Sequence, residues 1–199
     1  ALAQMDSLIA RDSMNFGIWF HKAQLGEKAG DTAIAIQAYE KAARIYPSPD
    51  ALLSLANLFA EQRNAKAILL CDEVEQLRLG REYLAHCSFI KGVYYARTGD
   101  FIKALTSFDR CIGNDYQYME AYMEKGFLFY DTEQTDKALA VFEKATEIRP
   151  TYADAFYWIG KCYEKKGDEE KAINQYHHAL VLDPAIQEAD AALKRLGAK

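Results

Sequence analysis

The sequence predicts an all-α protein, a solenoid of about five stacked antiparallel helix hairpins followed by a C-terminal capping helix. Three observations support this prediction. Glycines recur at a period of 34 residues, at Gly92, Gly126 and Gly160. Gly-Asp pairs mark sharp turns, and prolines follow where the second helix of a hairpin must end. A period of this length is typical of repeated two-helix units that stack on one another.

Small and large residues keep the same register in successive repeats. Ala138 and Phe142 in one repeat match Ala172 and Tyr176 in the next. Two helices pack closely only where one of them offers a very small side chain, and we expect Gly126 and Ala138 to form that crossing. Such a hairpin cannot bury its apolar face alone, so its neighbours must supply the core.

The turns between the two helices of a hairpin are predicted from Gly30-Asp31, Gly99-Asp100 and Gly167-Asp168. Glycine accepts the left-handed conformation that ends a helix, and aspartate accepts the free amide hydrogens of the next one. A further turn is expected near Arg63-Asn64. The prolines that end second helices are Pro47, Pro150 and Pro184.

These positions resemble the tetratricopeptide repeat (TPR) pattern, which implies a right-handed superhelical solenoid. The fourth repeat carries it in Tyr122, Gly126, Phe129, Ala138, Phe142, Ala145 and Pro150. The fifth repeat has Phe156, Gly160, Tyr163, Ala172, Tyr176, Ala179 and Pro184. The first is similar, with Trp19, Ala23, Gly26, Ala35, Tyr39, Ala42 and Pro47. The third repeat is similar in its middle, and the second is degenerate.

The period divides the chain into three parts. Residues 1–15 form an N-terminal lead, expected to be one or two helical turns packed on the first hairpin. Residues 16–185 form a single TPR-like domain with repeats at about 16–48, 49–84, 85–118, 119–152 and 153–185. Residues 186–199 form the capping helix, which covers the last apolar face.

Composition excludes several classes of protein. The net charge is −5, and lysine and arginine are interspersed with acids, which argues against a nucleic-acid partner. No apolar run reaches the roughly 18 to 20 residues of a membrane span, so no direct membrane insertion is expected. The chain begins at Ala1 without a methionine. A cytoplasmic location and, after removal of a signal segment, a periplasmic or envelope-associated one both stay open.

No enzymatic motif is present. The sequence has no GxSxG, GxxxxGK[ST], HExxH or dinucleotide fingerprint, so we expect no catalytic residue, cofactor or metal. The adjacent His177 and His178 would point about 100° apart on a helix, unlike paired metal ligands. The cysteines lack CxxC spacing and are expected to be buried free thiols, with a Cys87–Cys111 disulfide as the alternative in an oxidising compartment.

The TPR resemblance implies that first helices line a concave groove that holds a peptide or a partner's helix. Aromatic residues in such a groove are typical anchors of binding energy, and acids at Glu120, Glu124, Asp131 and Asp154 surround them. We therefore expect a protein or peptide ligand that is apolar or aromatic and carries basic residues. The predicted groove consists of Phe20, His21, Gln24, Asn57, His86, Phe89, Ile90, Val93, Met123, Phe127, Tyr130, Tyr157, Trp158 and Lys161.

Three alternatives to this groove remain. Some of its aromatic residues could be packing residues, because an error of one position rotates a helical side chain by about 100°. The apolar face or the N-terminal end could instead mediate homo-oligomerisation, which would make the chain an assembly subunit. The chain could also be the soluble part of a bacterial envelope protein. The lysine, asparagine and arginine set with which some family members grip a C-terminal carboxylate is missing.

Overall fold

The computed structural model describes residues 2–198, and all regular secondary structure in that range is helical. The chain packs into two compact units, Ala1–Ser107 and Phe108–Lys199. The helices of the first unit are α1 (Leu2–Arg11), α2 (Phe16–Lys28), α3 (Thr32–Ile45), α4 (Pro49–Glu61), α5 (Lys66–Gln76) and α6 (Arg81–Thr98). Helix α7 (Phe101–Asn114) crosses the boundary, and the second unit continues with α8 (Met119–Asp131), α9 (Thr135–Ile148), α10 (Ala153–Lys165), α11 (Glu169–Leu182) and α12 (Gln187–Arg195).

The first unit is built from helix hairpins. Helix α2 packs on α3 and α4 on α5, while α6 contacts both α4 and α5. The lead forms α1, a helix of 10 residues that is longer than the one or two turns expected from the sequence. It packs on α2, where Lys22 pairs with Asp6 at 2.7 Å. The core includes Ala23, Ala35, Tyr39, Leu52, Leu55, Ala56, Phe59, Ala67, Cys71 and Val74.

The second unit repeats the same arrangement. Helix α8 pairs with α9 and α10 with α11, and α10 also packs on α9. Helix α12 packs on α11, where Ala189 and Leu193 join the buried cluster around Tyr176. This helix therefore covers the apolar face that α11 would otherwise leave open.

The Gly-Asp turns form as the sequence predicts. Gly30 and Gly167 have φ values of 71° and 79°, a left-handed conformation that costs other residues energy. Asp31 then accepts a hydrogen bond from the backbone amide of Ile34 at 3.0 Å, and Asp168 accepts one from Lys171 at 3.2 Å. The turn expected near Arg63-Asn64 lies between α4 and α5.

Where the two helices approach closely, Gly126 faces Phe142 and not Ala138, the residue that the sequence predicts. A Cβ added at Gly126 would lie 2.3 Å from Cε1 of Phe142, and Ala138 is not among the nearest neighbours. At Gly160 the nearest atom is Cε1 of Tyr176, at 2.6 Å. The glycine therefore makes room for the aromatic ring one turn beyond the alanine, because that ring lies across the first helix.

All four cysteines are free and buried, in agreement with the prediction. Cys87 donates from Sγ to the carbonyl oxygen of Cys71 at 3.6 Å. Burial raises the pKa of the Cys162 thiol to about 11, so little thiolate forms near neutral pH.

We expect the native protein to resist thiol reagents. Only the thiolate attacks such reagents, and all four thiols are buried away from them. Absorbance at neutral pH should show slow labelling of the four thiols before urea is added and rapid labelling afterwards. Fast labelling of any thiol in the native protein would contradict this burial.

A second prediction concerns the helix crossing. Gly126→Ala should lower the free energy of unfolding by about 1–3 kcal/mol, because the new methyl group displaces the ring of Phe142. Gly113→Ala is the matched control, since a Cβ there meets nothing within 4 Å. It should be neutral or raise stability by up to about 1 kcal/mol. Urea unfolding measures both, and equal effects would show that the crossing does not require glycine.

Candidate peptide-binding surfaces

A cleft in the first unit brings together residues from three first helices. It has a volume of about 180 Å³ and is lined by Glu27, Asp50, Leu53, Ser54, Asn57 and His86. A wider depression lined by Gln24, Glu27, Lys28, Tyr39 and Ser54 shares two of these residues. We refer to the smaller cavity as the Glu27 cleft. Two residues predicted for the groove, Asn57 and His86, lie in its wall, and a third, Gln24, lies in the adjoining depression.

Glu27 has a structural partner in the second helix of its hairpin. Tyr39 is only 1% exposed, and its hydroxyl donates to Glu27 Oε2 at 2.5 Å. Burial and this hydrogen bond raise the pKa of Tyr39, so the ring stays neutral. The same pair recurs in the second unit, where Tyr176 donates to Glu164 Oε2 at 2.7 Å. In both pairs the glutamate lies 12 residues before the tyrosine.

The two glutamates differ in their second partner. Arg195, at the end of α12, donates to both carboxylate oxygens of Glu164, with Nη2 3.0 Å from Oε2. The hydrogen bond from Arg195, with that from Tyr176, holds the pKa of Glu164 below its usual value. No cation within residues 2–198 pairs with Glu27 in this way.

The second unit presents a group of half-buried rings on α8 and α10. Phe127 and Trp158 have centroids 4.6 Å apart, and Tyr130 meets the same indole edge-on at 5.4 Å. Tyr157 lies 5.6 Å from Trp158. We call Phe127, Tyr130, Tyr157 and Trp158 the aromatic surface. The rings thus pack against one another while each stays partly open to solvent.

Packing and exposure both contribute to this surface. Trp158 also stacks on the buried Phe142 at 5.9 Å, so part of the indole belongs to the core. Lys165 lies 4.3 Å above the ring of Tyr130 and pairs with Glu133 at 2.8 Å. Cations bind favourably over aromatic faces. The ammonium group of Lys165 already occupies this face of Tyr130.

Three residues predicted for the groove are buried instead. Ile90 and Val93 are 0% and 1% exposed, and Met123 is 6% exposed within the core cluster of the second unit. The prediction that these three face a ligand is wrong, because a shift of one position on a helix turns a side chain from groove to core. Phe20 is half-buried and stacks on Phe16 at 5.4 Å. His21 is exposed, and Phe89 and Lys161 are half-buried.

Within residues 2–198, no three His, Cys, Asp or Glu side chains are grouped so that they could hold a metal ion. His178 stacks flat on Phe156, with centroids 4.1 Å apart. Across the same range, none of the helices combines the length and apolar character needed to cross a membrane.

Sequence reasoning missed Glu27 as a cleft residue, together with Asp50 and Ser54. Glu27 lies beside the predicted groove positions on α2, and its role depends on a tyrosine in the next helix. A signal was available, because both Glu27 and Glu164 precede a tyrosine by 12 residues at equivalent positions of their repeats.

Stacked hairpins with glycine crossings and a capping helix define a helical-repeat protein. Family profiles match it as "Tetratricopeptide repeat" over residues 1–48, 27–80 and 153–186, and as "TPR repeat" over residues 126–167. These matches together span more than half of the chain. The protein belongs to the tetratricopeptide repeat family, and this membership supports a role as a protein-interaction scaffold.

Curated relatives are longer than this chain. It is 30% identical over 137 residues to anaphase-promoting complex subunit 3 of Schizosaccharomyces pombe, covering 68% of this chain and 20% of the relative. It is 27% identical over 179 residues to the mitochondrial import receptor subunit TOM70 of Mus musculus, covering 86% of this chain and 29% of the relative. The chain therefore spans less than a third of either protein.

Solved structures support the same fold. PilW, described as a widely conserved type IV pilus biogenesis factor, superposes with a TM-score of 0.78 at 18% identity, covering 96% of this chain and 88% of PilW. YrrB, described as a TPR protein with an unusual peptide-binding site, gives 0.56 at 21% identity, covering 98% of this chain and all of YrrB. At these identities the likeness concerns the fold alone.

We expect the Glu164–Arg195 pair to contribute to stability only while Glu164 is ionised. Because its folded-state pKa is lowered, the unfolded chain protonates first, and stability falls as pH drops from 4.5 through the folded-state pKa. Glu164→Gln should therefore lower the free energy of unfolding at neutral pH. On acidification, the variant should lose less of this free energy than the parent protein does. Urea unfolding at neutral pH and at about pH 3 measures this difference.

Glu147→Gln is the matched control, because Glu147 pairs with Lys144 on the exposed face of α9. Exposed ion pairs contribute little to stability, so the free energy of unfolding of this variant should change with pH as that of the parent protein does. If Glu164→Gln and the parent protein lost equal stability in acid, the pair would not contribute to folding.

Proposed function

We propose that the chain is a non-catalytic interaction module that binds a peptide or helix of a partner protein along its first helices. In the second unit the aromatic surface provides apolar anchors. In the first unit the Glu27 cleft provides a separate polar contact. The expected ligand combines aromatic or apolar residues with basic ones. The observation that carries this proposal is the aromatic surface itself, because four half-buried rings remain accessible beside a core that already contains Phe142 and Tyr176.

Energetics and charge support a ligand of this kind. Truncation of a tryptophan or tyrosine at the centre of an interface often costs about 2 kcal/mol or more of binding free energy. Glu120, Asp131 and Asp154 are exposed on the same two helices, α8 and α10. They would attract basic residues and disfavour acidic ones. The description of YrrB as a peptide-binding TPR protein is consistent with this role.

The test begins with selection of peptides from a display library on the immobilised chain. The affinity of a selected peptide is then measured by calorimetry with the parent protein, Tyr130→Ala and Trp158→Ala. We expect each substitution to weaken binding by about 2 kcal/mol, or roughly thirtyfold. Circular dichroism must show unchanged helicity, because Trp158 also contacts Phe142.

Tyr116→Ala is the matched control, since Tyr116 is 64% exposed and lies outside the aromatic surface. It should leave the affinity unchanged. Equal affinities for all folded variants would contradict a role for the aromatic surface. If no peptide is selected and light scattering shows mass rising with concentration, self-association becomes the better explanation.

A further inference from the structure

We propose that the Glu27 cleft is an arginine pocket, in which the carboxylate of Glu27 pairs with a guanidinium group from the partner. This inference rests on the proposed function, since it assigns one side chain of the partner to the polar contact in the first unit. Three features support it: an occupied copy of the site in the second unit, the residue that replaces the arginine, and the charge of the cleft.

The occupied copy is the pair formed by Glu164 and Arg195. Arg195 donates through both terminal nitrogens to the two oxygens of the carboxylate. Tyr176 donates to the same carboxylate from the second helix of the hairpin. A glutamate oriented by a buried tyrosine therefore binds a guanidinium from the following first helix. This two-point geometry is specific for arginine rather than lysine.

The site around Glu27 has the same framework. Tyr39 donates to Glu27 as Tyr176 donates to Glu164. The following first helix is α4, which aligns with α12 at two buried positions. The third and seventh residues are buried alanine and leucine in both helices: Ala51 and Leu55 in α4, Ala189 and Leu193 in α12.

The ninth residue distinguishes the two sites. It is Arg195 in α12 and Asn57 in α4. Asparagine is shorter and neutral, and at this position the structure has the open cleft of about 180 Å³ that Glu27 and Asn57 both line. Across residues 2–198, Glu27 Oε1 receives no hydrogen bond. The first unit thus has the carboxylate and the space but lacks the guanidinium.

The charges around the cleft favour a cationic occupant. Asp50 contributes a second carboxylate to the wall. Lys28 lines the adjoining depression and forms no ion pair with Glu27. The protein as a whole carries a net charge of −5, which would assist the approach of a basic segment.

The direct test uses N-acetyl-arginine methylamide as the probe and its uncharged citrulline analogue as the matched ligand. Heteronuclear NMR follows the backbone and side-chain amide signals of the labelled chain. We expect saturable shifts at Glu27, Ser54 and Asn57 with the arginine compound. The citrulline compound should bind at least about tenfold more weakly, because it lacks the charge.

Asn57→Arg should close the pocket, because it supplies the chain's own guanidinium at the position of Arg195. Affinity for the probe should then fall at least about tenfold. Asn57→Gln, the neutral control, should keep binding. Glu27→Gln keeps an oxygen acceptor for Tyr39, but its affinity for the probe should also fall because the carboxylate charge is gone. Unchanged affinity in folded Asn57→Arg would overturn the proposal even if Glu27→Gln failed to fold.

Failure of this inference can be distinguished from failure of the proposed function. A selected peptide that depends on Tyr130 and Trp158, together with no saturable shift around Glu27, would overturn the arginine pocket and leave the proposed function intact. Shifts confined to another acidic region of the surface would also overturn the pocket. If no peptide is selected and the probe does not bind, both proposals are wrong.

Discussion

The two hairpins of the second unit depend on the packing of an aromatic ring from the second helix against a glycine in the first. At Gly126 and Gly160 the ring lies where any larger side chain would have its Cβ. This contact sets the separation of the two helices, and the separation decides which residues of the first helix remain outside the core. The rings of the aromatic surface on α8 and α10 are among the residues that this separation leaves half-buried beside the core.

The turns and the small core positions could be predicted because each depends on the chemistry of one or two residues. A glycine followed by an aspartate ends one helix and begins the next, whatever packs around it. Ile90, Val93 and Met123 could not be assigned in this way. They lie at the border between core and surface, where rotation by one position decides burial, and apolar residues are compatible with either side.

The candidate site shows a similar limit. The sequence predicts the rings at Phe127, Tyr130, Tyr157 and Trp158 as candidates because they exceed what the repeat pattern needs. Their mutual stacking depends on how neighbouring hairpins pack, which one sequence does not reveal. Glu27 was missed because a carboxylate on a helix resembles any solvated acid until its tyrosine partner is seen.

The hydroxyl of the buried tyrosine has a consequence for how such a chain changes over generations. Phe108 and Phe142 fill their hairpins without needing an acceptor, whereas Tyr39 and Tyr176 each require one on the first helix. Such a tyrosine therefore constrains substitution of its glutamate partner in the first and last repeats. When a repeat array grows by duplication, this tyrosine and its acid must be inherited together, and a change to phenylalanine would free the acid for other uses.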